Sequence, residues 1–139
     1  MVVQTERLSF NTKGDCDIID ITDAVSKKLS STQMKNGIVT VFVVGSTGGL
    51  TTVEYEPGLV KDLNELFEKI IPSNQSYHHD ETWHDGNGHS HLRASLLGPS
   101  LTVPFESGQL LLGTWQQIIF IDFDIRRRNR ELILQFMGE

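Results

Sequence analysis

The chain has 139 residues, 38% hydrophobic and 22% charged, which is the composition of one ordinary globular domain able to bury a core without disulfides. Its net charge of −6 argues against a nucleic-acid backbone or an anionic membrane as partner, because both require a surplus of Lys and Arg on some face. The lone cysteine, Cys16, excludes an internal disulfide. With no signal-like start and no apolar run of about 18 residues, a cytoplasmic protein is expected.

At the N-terminus Val3, Thr5, Arg7 and Ser9 alternate with Val2, Gln4, Glu6, Leu8 and Phe10, a period of two that predicts a strand. Lys13-Gly14-Asp15 makes a turn, and residues 16–21 read as a second strand in which Cys16 is a small core residue rather than a nucleophile. Thr22 is placed to cap a helix with Asp23 in its first turn, Val25 and Leu29 form its apolar stripe, and Asn36-Gly37 ends it. Ile38 to Val44 is almost entirely β-branched or aromatic, so a strand buried on both faces is expected. A glycine-rich loop, Gly45-Ser46-Thr47-Gly48-Gly49, leads to a short strand from Leu50 to Glu54.

Pro57 suits a first helical turn, and Leu59, Leu63, Leu66, Phe67 and Ile70 recur at three and four, predicting a helix over Pro57–Ile71 that Pro72 stops. Residues 73–88 read as a polar loop. Strands are then expected at 89–97, 100–105, 110–113, 115–123 and 131–137, with turns at Gly98-Pro99, Ser107-Gly108 and the run Arg126-Arg127-Arg128-Asn129-Arg130. The arginine run reads as a solvated hairpin turn, with an anion or partner contact as the alternative. The order predicts a single α+β domain over residues 1–139, mostly an antiparallel β-sandwich with two helices.

All five histidines, His78, His79, His84, His89 and His91, fall in one short stretch, which marks it as the seat of any proton-transfer or metal chemistry. On a strand, His89, His91, Arg93 and Ser95 share one face and Ser90, Leu92, Ala94 and Leu96 the other. Alternate residues stand about 6.6 Å apart, a spacing that lets two imidazoles turn towards one divalent ion, zinc or magnesium. His79 or Asp80 would add a third ligand, and Arg93 would grip a phosphate or carboxylate. The competing reading is a solvated sheet face with incidental histidines.

In the loop at 45–49, glycines let backbone amides approach a ligand while Ser46 and Thr47 add hydroxyls. A tight connection between strands explains the same residues equally well. Glu54 is placed to act as a general base or ligand, or to cap the helix that follows. In Leu112-Gly113-Thr114-Trp115-Gln116 the tryptophan suggests core packing or a subunit interface, with Thr114 and Gln116 as candidate pocket lining. Ile118 to Ile121 has no polar face, so a second sheet or another subunit must cover it.

Together these residues resemble the YjbQ-like family. The resemblance rests on Ser46-Thr47 followed by Leu50-Thr51 and Glu54, on Asp62-Leu63, and on Tyr77-x-His79-Asp80. It extends through the run from His91 to Leu101 and Gly113-Thr114-Trp115-Gln116. It implies an α+β β-sandwich assembled as a homotrimer with pockets near subunit boundaries, and a weak thiamine-phosphate synthase activity. That reaction joins a pyrimidine diphosphate to a thiazole phosphate and releases pyrophosphate. Many members carry a histidine where this chain has Gly45 and an acidic residue where it has His89, so His89 is expected to restore a lost ligand or base.

Three functions are then open. An enzyme acting on a small phosphorylated molecule would use Ser46, Thr47, Arg93, Ser95, Thr114 and Gln116 for the substrate. Glu54, His79 and His91 would do the catalysis, and His79, His89 and His91 would hold the metal. A metal-dependent phosphate or ester hydrolase would use the same parts, with Glu54 or Asp85 activating water. A non-catalytic trimer binding an anion or metal is the second class, and a purely structural trimer the third.

Overall fold

A computed structural model describes Met1–Glu139. In chain order the elements are β1 (Val2–Asn11), β2 (Asp17–Asp20), α1 (Thr22–Thr32), β3 (Gly37–Val43), β4 (Gly48–Val53) and α2 (Pro57–Ile70). They continue with α3 (His78–Trp83), α4 (Gly88–Leu97), β5 (Ser100–Glu106), β6 (Gln109–Leu110), β7 (Gln117–Asp122) and β8 (Asn129–Gly138). The fold is α+β with four helices, not the two expected. The strands form a five-stranded sheet in the order β1-β8-β3-β5-β6 and a three-stranded sheet in the order β2-β7-β4, every pairing antiparallel. No helix is long and apolar enough to cross a membrane.

The main core unites the two sheets and α1: Val39, Val41 and Val43 of β3 and Leu132, Leu134 and Phe136 of β8 pack with Ile118 and Phe120 of β7 and with Val25 and Leu29 of α1. The intervening residues of β7, Ile119 and Ile121, face a second cluster containing Phe67 of α2, Ala94 of α4 and Cys16. The all-apolar strand is therefore covered on both sides, by a sheet on one and by helices on the other. β3 departs from expectation. It alternates, with Ile38 and Phe42 39% and 45% exposed on the outer face of the larger sheet, because no element of this chain covers that face.

Local signals account for several ends. Pro57 opens α2 behind Glu56, whose carboxylate accepts from the amides of Gly58 and Leu59; the cap is thus Glu56 rather than Glu54. Thr22 does not cap α1 but accepts a hydrogen bond from Ile118 N at 2.8 Å, tying the helix to β7. Gly48 and Gly49 belong to β4 rather than to a loop. A Cβ on Gly48 would lie 2.6 Å from the Phe120 ring, and one on Gly49 would lie 2.8 Å from Leu97 of α4, so these glycines allow close packing. Cys16 is buried in the second cluster, and burial pushes its thiol up to about 11.

The largest correction concerns residues 88–97, which form α4 and not a strand. The apparent alternation from His89 to Leu96 is too short to separate the two periods. Leu92, Arg93, Ala94, Leu96 and Leu97 are good helix formers, and no β-branched residue interrupts them. The buried set, His89, Ser90, Arg93 and Ala94, has the three- and four-residue spacing of one helical face. The polar stretch before it also contains a helix, α3.

Candidate functional site

Helical geometry separates the row of groups expected on a strand. Successive residues turn by about 100° around a helix axis, so His89 and His91 point to different sides of α4 while His89 and Arg93 share one. Burial then sorts them. His89 is 5% exposed and Arg93 4% exposed. Arg93 donates through Nε and Nη2 to the Ile71 carbonyl at 3.0 and 2.8 Å, and through Nη2 to Glu68 at 3.0 Å. Its guanidinium thus fastens α4 to the end of α2. Hydrogen bonds from the Ser73 amide and hydroxyl, and then from Arg93, hold the Glu68 carboxyl down at about 2. Burial, and next the charge of Arg93, pushes the His89 imidazole below its usual range.

The other side of α4 carries His91. Its ring stacks on that of His79 in α3, with centroids 4.2 Å apart and planes 33° from parallel. His79 Nδ1 is buried without a hydrogen-bond partner and lies 3.5 Å from Asp85 Oδ1 and 3.8 Å from Asp80 Oδ1. These three donors fall within 4.8 Å of one another. Asp80 also accepts from the amides of Tyr77 and Gly88, which joins the start of α3 to the start of α4. Burial, then the neighbouring His79, pushes the His91 imidazole below its usual range, so its neutral form is favoured.

His91 and Asp85 face a cavity of about 380 Å³ whose walls contain no hydrophobic side chain. Gly45, Ser46 and Thr47 form one wall, Asn87 stands beside His91, and Asp124, Arg128, Asn129 and Arg130 complete it. Beneath it lies a bonded polar floor. Arg130 grips Asp122 bidentately, Nε and Nη2 each at 2.7 Å, and donates to Thr47 Oγ1 at 2.6 Å. Asp122 also accepts from Thr12 at 2.5 Å. Thr47 and Asn87 both donate to Asp124 Oδ2, at 3.1 and 3.2 Å. Burial pushes the Asp124 carboxyl up. Hydrogen bonds from the Arg126 amide, Asn87, Arg128 and Thr47 outweigh that and leave it below the usual carboxylate range. Its bond to Asp122 holds the Arg130 guanidinium above its ordinary value.

The remaining sequence candidates fall elsewhere. Ser46 is exposed on the cavity wall, whereas Thr47 is 5% exposed and tied into the floor. Ser95 donates to the His91 carbonyl at 2.8 Å and lines an adjoining hollow that also contains Gly45 and Ser46. Glu54 is exposed past the end of β4. Thr114 and Gln116 line a separate groove beside α1, where Gln116 donates to Thr52 at 3.1 Å. Trp115 is 72% exposed and so is not core within this chain. The sequence reading omits Asn87, Asp122 and Asp124 as site residues, and it gives the run holding Arg128 and Arg130 an anion or partner contact only as the alternative to a solvated turn. A signal for them existed in Asp122-Phe123-Asp124, two carboxylates at alternate positions ending an apolar strand, with Arg128 and Arg130 at the same spacing soon after.

These features define an α+β protein with a histidine–carboxylate cluster beside a fully polar cavity. The chain belongs to the UPF0047 protein YjbQ-like family, whose model matches residues 6–139. A UPF0047 protein of Archaeoglobus fulgidus is 42% identical over 126 residues, covering 91% of this chain and 96% of the relative. One from Methanothermobacter thermautotrophicus is 40% identical over 139 residues, covering 100% and 95%. The crystal structure of a YbjQ-like protein of unknown function from Sulfolobus solfataricus superposes with a TM-score of 0.93 at 31% identity, covering 99% of each chain.

Proposed function

We propose that this chain is an enzyme acting on a small phosphorylated molecule in the cavity beside His91. The observation that carries the reading is the stacked pair His79 and His91 with Asp85 at 3.5 Å from an otherwise unpartnered Nδ1. A neutral imidazole next to a carboxylate can accept a proton from a bound hydroxyl or water. The opposite wall, with Ser46 and the backbone of the 45–47 segment, offers donors for substrate oxygens.

The same donors suit a divalent ion. Ligand atoms about 3.4 Å apart are what a tetrahedral zinc with bonds near 2.1 Å requires, and the His79–Asp85 and His79–Asp80 separations of 3.5 and 3.8 Å are close to it. We therefore place any zinc or magnesium at His79, Asp85 and Asp80, with His91 alongside, and leave His89 out of the set. A bound cation would polarise a phosphoryl oxygen or stabilise a departing pyrophosphate. The thiamine-phosphate synthase reaction is one transfer that uses such stabilisation. Hydrolysis of a phosphate ester is the other, with Asp85 rather than Glu54 beside the histidines.

The proposal includes a cytoplasmic homotrimer. Two sheets sharing one core support reading the fold as a β-sandwich. Val3, Met137, Ile38 and Pro104 stand in one cross-strand row on the face that the chain leaves uncovered, which supports a subunit contact there. Metal analysis of purified protein, followed by assays with thiamine precursors and generic phosphomonoesters, tests the function. Turnover that disappears in His91→Ala supports it. Tight metal with no turnover of any substrate replaces it by a non-catalytic binding protein, and absence of both ends it.

A further inference from the structure

A second hollow of about 380 Å³ opens beside the first, and its lining is Asn11, Thr12, Arg127, Arg128 and Asn129. It contains no carboxylate and no hydrophobic side chain, although the chain carries a net charge of −6. Arg128 and Asn129 also line the His91 cavity, so the two hollows adjoin. We propose that the Arg127–Arg128 turn is a phosphate subsite. There it holds the phosphate of a hydroxylated, non-aromatic phosphomonoester whose remaining part lies against His91 and Asp85. The inference deepens the phosphate-ester reading of the proposed function, not the thiamine-phosphate synthase one, and rests on it for the second half.

Three observations carry it. First, the turn is clamped in place. Thr12 N donates to the Arg128 carbonyl at 2.8 Å, Arg128 N donates to Thr12 Oγ1 at 3.3 Å, and Asn129 Nδ2 donates to Asn11 Oδ1 at 3.0 Å. Thr12 itself is 5% exposed and anchored on Asp122. A preorganised turn presents its side chains without the ordering that a mobile loop would first require. Second, Arg127 is exposed and forms no ion pair, while Arg128 touches Asp124 at 3.1 Å and keeps 43% of its side chain exposed. Guanidinium groups in that state match the geometry of phosphate oxygens. Arg93 is buried against Ile71 and Glu68, and Arg130 against Asp122 and Thr47. Third, the joined cavity has no apolar wall, and the His91 imidazole is the one ring that lines it. An apolar ring packed on such walls would leave their polar groups unpaired, whereas hydroxyls can hydrogen-bond to them, so a sugar-like or polyol phosphate fits these walls better.

The experiment is calorimetric titration of the intact protein in the presence of a chelator, with inorganic phosphate and with ribose 5-phosphate as probes. Wild type is compared with Arg127→Gln, Arg128→Gln, Asp85→Asn and a charge control, Arg7→Gln on β1, with thermal melts for each. The subsite predicts at least tenfold weaker binding of both probes in Arg127→Gln and Arg128→Gln and an unchanged affinity in Arg7→Gln. It also predicts that ribose 5-phosphate binds more tightly than phosphate in wild type, and that Asp85→Asn removes this advantage without weakening phosphate. If Arg128→Gln melts early because Asp124 loses a partner, Arg127→Gln decides alone. Undetectable phosphate binding by wild type, equal weakening in Arg7→Gln, or no effect of Arg127→Gln overturns the subsite. Equal affinity for the two probes overturns the hydroxylated ligand. Failure of the metal and turnover assays with phosphate binding intact overturns the proposed function and leaves the subsite standing.

Discussion

The two sides of α4 are built from the same kinds of residue and do different things. The inner side, with His89 and Arg93, is closed: its guanidinium is committed to a backbone carbonyl and to Glu68. The outer side, with His91, is open to a cavity and to a second imidazole. What separates them is the partner available, since α2 supplies acceptors to one, while His79, Asp85, the 45–47 segment and the arginine turn surround a cavity on the other. Histidine content alone therefore says little about chemistry; the unpartnered nitrogen beside a carboxylate says more.

Arg93→Met is the sharpest way to break the comparison. It leaves the Ile71 carbonyl without its buried donor, and charged hydrogen bonds of this kind contribute about 1.5–3 kcal/mol. Urea denaturation should show a loss of that size, with metal content per folded molecule unchanged. An Arg93→Met variant as stable as wild type, or one with altered metal content, would erase the distinction between the sides. His91→Ala should do the reverse, lowering metal retention or turnover at least tenfold, about 1.4 kcal/mol, with a melting curve close to wild type.

His89→Leu tests the inner side more gently. Its Nδ1 is buried without a partner, and replacing such a group by an apolar one of similar shape is close to neutral. Stability within about 1 kcal/mol of wild type and unchanged metal uptake are expected; a loss of metal would return His89 to the ligand set. The smallest effect is on pH dependence. The Glu68 carboxyl is lowered from 4.5 to about 2 in the folded protein. Its contribution is thus complete above the unfolded value and disappears as pH falls from 4.5 towards 2. Glu68 is half exposed, so solvent screening keeps the contribution small. Acid titration of stability should be slightly flatter in Glu68→Gln over that window, and an identical profile would mean that Ser73 and Arg93 do not hold the Glu68 carboxylate in its charged form.

Much of the fold was written in local pattern. β1, α1, α2, β5 and β8 carry periodicities long enough to identify, and Ile118–Ile121 announced a strand covered on both sides. The family resemblance was carried by contiguous runs such as His91–Leu101, which keep their meaning whatever element they form. The site was half legible. Clustering of histidines drew attention to the stretch that holds the stacked His79–His91 pair, and of the expected residues His91, Ser46 and Thr47 line one cavity. Arg93 and His89 were grouped with them only because a strand was assumed.

Sequence by itself determined the α+β class and the histidine-rich stretch through composition and periodicity, and the family through the resemblance of contiguous motifs, because all of these are properties of neighbouring residues. Which imidazoles meet was decided by the tertiary structure. Ten residues with an ambiguous period became a helix when one side could pack on β4 and α2, and that choice turned His89 inward and His91 outward. The polar floor was equally beyond local reading. Thr12, Thr47, Asn87, Asp122, Asp124 and Arg130 come from distant parts of the chain, and only closure of both sheets brings their hydrogen-bonding groups within reach of one another.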